Sequence, residues 1–340
     1  MDQNPIDREQ QQPPKEEREQ QTLRLHRARW QFAYPMLAVA FIFLFSAILQ
    51  STADSIIRMT APALAGADWY PWVLSMLPMY LVAMPISLII FRLCEAETPE
   101  KKPMTFPVWL GILGICFALT YAGNLIGSVV NLIISILTGQ PVINELASMT
   151  SSSPFWVNLL FVGILAPIME EIFYRKLLID RWRRYGEVPA MLLSALVFGL
   201  IHGNFSQFFY AAAVGALFGY VYLRTGKIRY TVFLHMTINL VGGVYTTEMV
   251  KLLTPILESG NPVPMLFQNR LALSMLAGYM LFMFAAVVGG IVAAVLLWKR
   301  WRAPFASPKD PLHEREWRNV LLLNPGTWML GVVVLMLFLV

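Results

Sequence analysis

One stretch of the chain sets carboxylates, imidazoles and a carboxamide where apolar helices would have to carry them. It starts at Ala166-Pro167-Ile168-Met169-Glu170-Glu171-Ile172-Phe173-Tyr174-Arg175. Glu171 and Arg175 are four residues apart on one helical face and suit an ion pair. Glu170 is rotated by about 100° on a 3.6-residue helix and is left without that partner, where a general base or acid would stand. Phe198 and His202 repeat the spacing, and His235 and Asn239 repeat it again. Each pair alone has an ordinary reading: a salt bridge at a helix end, an interface histidine, a polar contact between helices. Together they gather in one stretch, Glu170 to Asn239, carboxylates that can take a proton, two imidazoles, and a carboxamide that can only donate or accept hydrogen bonds.

The elements that must position these residues are membrane helices. Of 340 residues 57% are hydrophobic and 14% charged, against about 25% charged in a soluble domain. The apolar residues gather in blocks of roughly twenty, enough for a helix to cross about 30 Å of hydrocarbon. The fold expected is an all-α polytopic transmembrane helical bundle of eight to nine spans. The spans fall near 32–52, 70–92, 106–137, 154–178, 188–204, 207–224, 230–250, 271–298 and 326–340. Residues 1–31, rich in Gln, Glu, Arg and Pro, read as a disordered cytoplasmic tail. Residues 32–104 form an N-terminal hairpin, 105–300 the catalytic membrane domain, and 301–340 an amphipathic linker with a last helix. With the N-terminus cytoplasmic, 23 of the 26 Lys and Arg fall on the cytoplasmic side. Only Arg58, Lys251 and Arg270 lie outside, as retention of basic loops requires. The C-terminus is then outside and the chain is an integral protein of the plasma membrane. The formal charge of +5 sits in short loops rather than along one face, which speaks against nucleic acid. Cys94 and Cys116 lack a partner motif and read as packing residues. The glycines at 111, 114, 215, 219, 289 and 290 read as close helix contacts.

Ionisable residues inside a span cost about 2.5–3.5 kcal/mol each on insertion scales and so mark function. Depth decides whether they meet. Glu170 and His202 each lie sixteen residues from Gly186, the expected turn of a helical hairpin, which sets both roughly 24 Å from it. His235 lies nine residues past the next turn, Gly226, only about 13 Å away. It reaches the same level if the first hairpin projects about 10 Å further into the cytosol, with the site in the cytoplasmic half of the membrane.

The ordered motifs E-E-x-x-x-R at 170–175, F-x-x-x-H at 198–202 and H-x-x-x-N at 235–239 resemble those of the CPBP family. That family takes in type II CAAX prenyl proteases, lysostaphin resistance protein A and bacteriocin-processing membrane proteins. The likeness covers roughly residues 105–300. It implies a conical cavity open to the cytoplasmic side and an intramembrane endopeptidase acting on a membrane-associated or lipidated peptide or protein within the bilayer. It further implies that Glu170 activates water, His202 shares the proton, and His235 and Asn239 stabilise the oxyanion. Glu171, Arg175 and Phe198 support them. Glu170, His202 and His235 would also suffice as ligands of a divalent metal such as zinc. The zincin spacings are absent, and metal-free hydrolysis is the preferred reading. Two alternatives stay open: a non-catalytic immunity or scaffold protein of the same fold, and an ion or proton transporter. The transporter is disfavoured because spans outside 154–250 carry almost no ionisable residues. Substrate identity and oligomeric state are not legible.

Overall fold

A computed structural model describes residues 14–300 and 305–339. The described residues form helices and the turns between them, the all-α bundle expected. Helix α1 is Lys15–Thr60, α2 Tyr70–Phe91, α3 Phe106–Thr138 and α4 Phe155–Tyr185. Helix α5 is Glu187–Leu200 and α6 Phe205–Thr225. Helix α7 begins as Ile228–Asn239 and runs through a wide-turned segment, Leu240–Tyr245, into Thr246–Leu257. Helix α8 is Arg270–Arg300, α9 Glu314–Leu322 and α10 Pro325–Leu339.

The span count is lower than expected. Among the described residues six helices are long and apolar enough to cross a membrane: α1 to α4, α6 and α8. A seventh arises if α9 and α10, bent by 60° at their junction, are one crossing. The expected spans at 188–204 and 230–250 are present as α5 and α7 but do not qualify. Helix α5 has 14 residues, about 21 Å of rise, short of the hydrocarbon thickness. Helix α7 gives up apolarity to Arg229, His235, Asn239 and its threonines.

The polar N-terminal segment also differs from expectation. Residues 1–13 lie outside the described residues, but 15–31 are the first turns of α1. Arg24 Nη2 reaches Glu316 Oε1 at 2.6 Å, and Gln31 Nε2 donates to the Glu95 and Arg181 carbonyls at 2.6 and 3.0 Å. Composition could not reveal these partners because they come from segments far along the chain. Below them Phe32 stacks on Trp182 with centroids 5.6 Å apart and meets the Trp317 edge at 5.3 Å.

The two ends of the bundle are distinct. At the basic end the loop after α2 ties α4 to the turn at Gly226: Glu97 N donates to Asp180 O at 2.6 Å and Lys102 N to Thr225 O at 2.8 Å. Lys309 N donates to Arg184 O at 2.9 Å beside them. At the opposite end Tyr70 donates to Asp54 at 2.8 Å and Trp72 Nε1 to Ser153 Oγ at 2.7 Å. Lys251 Nζ donates to Ser153 O there at 2.5 Å. Gly186, with φ +140°, makes the turn from α4 to α5 in a conformation that L side chains rarely adopt. Helices α3 and α8 touch through Gly114 and Gly290. A Cβ on Gly114 would lie 3.1 Å from Gly290 Cα, and one on Gly290 would collide with the Gly114 carbonyl.

Candidate active site

The site is built where α4, α5 and α7 meet, and backbone irregularity aims its residues. Pro167 lacks the N–H that an α-helix would return to the Gly163 carbonyl. Wide π turns occupy Leu159–Leu165 just before it and Glu171–Ile179 just after. Such turns often accompany functional sites because they re-aim neighbouring side chains. A carbonyl in the first wide segment, that of Val162, accepts from Asn239 Nδ2 at 3.0 Å. Asn239 therefore ties α7 to α4 with one amide hydrogen and keeps a second donor and its oxygen.

Glu171 and Arg175 form the expected ion pair, fully buried, with Nε to Oε2 at 3.1 Å. The second Glu171 oxygen accepts from His235 Nδ1 at 3.0 Å. One carboxylate thus compensates a buried guanidinium and fixes the orientation of an imidazole, a role beyond the ion pair expected. The other ring nitrogen, His235 Nε2, lies 3.6 Å from Glu170 Oε2. That contact relates helices whose residues lie at different distances from their turns. At 1.5 Å per residue, it requires the turn at Gly186 to project roughly 10 Å beyond that at Gly226.

His202 stands just after α5 rather than within a span. Its Nδ1 lies 2.7 Å from the Phe198 carbonyl, a bond the ring makes by donating Nδ1–H, which leaves Nε2 as its acceptor. The Phe198 ring meets His202 and His235 edge to face at 5.0 and 5.7 Å. The Arg175 guanidinium lies over the same ring at 4.8 Å. Two contributors were not anticipated. Ser194 Oγ accepts from Arg175 Nη1 at 3.3 Å and donates to the Tyr174 carbonyl at 2.6 Å. Phe218 packs on His235 at 5.4 Å. Ser194 had a signal, since Ser194, Phe198 and His202 form one stripe at intervals of four. Phe218 had none.

Glu170, His202, His235 and Asn239 all line one cavity of about 430 Å³, together with Phe198. Glu171 and Arg175 lie behind its wall. Among the described residues no three carboxylate, imidazole or thiol side chains gather at metal-binding distances. Glu171 is committed to Arg175 and His235, and His202 Nδ1 to a carbonyl. A Glu170, His202 and His235 ligand set is therefore not preformed among the described residues.

Residues 152–241 match the family model described as type II CAAX prenyl endopeptidase Rce1-like. The chain is 24% identical over 164 residues to the Bacillus subtilis protein named "Putative membrane peptidase YdiL", covering 47% of this chain and 66% of that one. It is 26% identical over 164 residues to the Staphylococcus aureus "Membrane-embedded CAAX protease MroQ", covering 45% and 64%. The chain thus spans just under two thirds of the length of these two relatives. A Lactococcus lactis protein, "UPF0177 protein YbdJ", is 29% identical over 98 residues, covering 28% of this chain and 42% of its own. No solved structure matches the chain.

Proposed function

From the Rce1-like domain at residues 152–241, which marks a CPBP-family membrane protease, we propose that this chain hydrolyses a peptide bond of a membrane-associated substrate with Glu170 as the base. The observation that carries the reading is the meeting of Glu170 and His235, Oε2 to Nε2 at 3.6 Å, on a cavity inside a membrane bundle. A water held between Glu170 and the substrate loses a proton to the carboxylate as its oxygen attacks the carbonyl carbon. His235, fixed through Nδ1 by Glu171, donates from Nε2 when doubly protonated. With the remaining Asn239 N–H it stabilises the oxyanion. The C–N bond then breaks as the proton passes from Glu170, with His202 Nε2 as carrier, to the departing amine. Arg175 and Phe198 keep Glu171 and both imidazoles in place.

The test is purified protein in bilayers, incubated with a panel of membrane peptides, with and without chelator. Glu170→Gln preserves size and removes the base, so cleavage should fall by about 10²–10⁴-fold. Undiminished cleavage by this variant would remove Glu170 from the mechanism. A wild-type chain that cleaves nothing would favour the immunity or scaffold reading. Loss of cleavage on chelation, restored by zinc, would add a metal to the site.

A further inference from the structure

Helix α2 stands outside the matched residues 152–241, yet it reaches the cavity in the manner of α4. Wide turns occupy four segments among the described residues: Leu159–Leu165 and Glu171–Ile179 in α4, Leu240–Tyr245 in α7, and Pro78–Ala83 in α2. In α4 the first of them ends two residues before Pro167, and in α2 the segment ends two residues before Pro85. Neither proline has an N–H to return to the carbonyl four residues earlier, that of Gly163 in one helix and of Leu81 in the other. The wide turn of α2 carries Tyr80, which lines the same cavity as Glu170, His202 and His235. Tyr174, four residues after Glu170, lines it as well, its ring 5.1 Å from that of Phe198. The two tyrosines are buried, 7% and 4% exposed, and neither hydroxyl has a hydrogen-bond partner among the described residues. Uncharged polar neighbours in the lining are engaged: Thr120 with the Cys116 carbonyl at 2.9 Å, Asn204 with the His202 carbonyl at 2.7 Å and Gln207 with Tyr210 at 3.1 Å.

We propose that Tyr80 is a substrate-binding residue whose hydroxyl donates, alongside that of Tyr174, to a backbone carbonyl of the peptide to be cut. A buried hydroxyl without a partner costs free energy, so two of them on one cavity point to a ligand that supplies acceptors. An unwound peptide is such a ligand. Before a peptide bond inside a membrane bundle is attacked, the chain around it must leave its helix, and its carbonyls lose their N–H partners where hydrocarbon offers no water in exchange. Phenols suit that need, because each donates one hydrogen bond while its ring keeps the wall apolar and brings no charge beside Glu170. The wide turn in α2 then has the same use as those in α4, which is to aim a polar side chain out of an apolar helix. The role in cleavage rests on the proteolytic reading; the binding of an unwound apolar peptide does not.

Tyr80→Phe in the full chain, reconstituted in bilayers, keeps the ring and removes only the oxygen. Against a membrane peptide that the wild-type chain cuts, KM should rise about 3–10-fold with kcat little changed, the signature of lost uniform binding. The unfolding temperature in detergent should hold or rise, because no bond inside the protein is lost. An unchanged KM, or a lower unfolding temperature that marks an internal partner, would overturn the proposal. Binding is read without cleavage by a dye-labelled apolar peptide of about twenty residues with a central Gly-Pro pair, added to Glu170→Gln chains with and without Tyr80→Phe. Affinity weakened by a similar factor supports the proposal even where the wild type cuts no peptide, and proteolysis alone then fails. Equal affinity of the two chains defeats it.

Discussion

Glu171 serves two neighbours at once, the Arg175 guanidinium and the His235 imidazole, and all three side chains are buried. Removing one member of a buried pair leaves an uncompensated charge. Arg175→Leu should therefore destabilise the protein by about 3–5 kcal/mol, read as a lower unfolding temperature in detergent. Replacing both partners, Glu171→Gln with Arg175→Met, removes both charges and should recover most of that stability. Cleavage should stay low in the double variant because His235 has lost the carboxylate that sets its tautomer. Recovery of full activity would mean that Glu171 is structural only. The spacing of four between Glu171 and Arg175 made their pairing legible in the sequence. The His235 contact was not, because it joins residues 64 positions apart.

At the scale of elements, the wide turns around Pro167 set which way Glu170 and Glu171 face. Pro167→Ala restores an N–H where the ring removed one and permits a regular turn. The Val162 carbonyl would then compete for helical bonding with Asn239 Nδ2. Stability should hold or rise, while turnover falls by up to about 10²-fold, the cost of a displacement near 1 Å at a reacting centre. An active, regular-helix variant would show that the irregularity is incidental. Hydropathy located α5 and α7 correctly as helices yet overstated them as spans. The polar residues of α7 and the short length of α5 belong to a site that neighbouring helices enclose.

For the molecule as a whole, membrane integration and sidedness are the quantities at issue. A Cβ on Gly203 would lie 2.8 Å from the Leu337 carbonyl, so the last turns of α10 sit beside the loop after α5, at the end away from the basic loops. A reporter fused after Val340 should accordingly be active outside the cytoplasm and silent inside, as a phosphatase and a fluorescent protein respectively report. A cytoplasmic reporter would mean that α10 turns back before crossing. The same arrangement explains why residues 15–31 are helical: Arg24 finds Glu316 in a segment that returns from the far end of the chain.

Local patterns determined what needs only local chemistry: apolar blocks that must be membrane helices, basic loops that mark one side, and three motifs at intervals of four. Those intervals set which side chains share a face, because a helix has a fixed period. Tertiary structure alone decided which faces meet, how many helices can cross unaided, and which side chains line the cavity. These depend on relative depth and on partners from distant segments, and backbone distortions at a single proline shift such depths by several ångströms that no residue count contains.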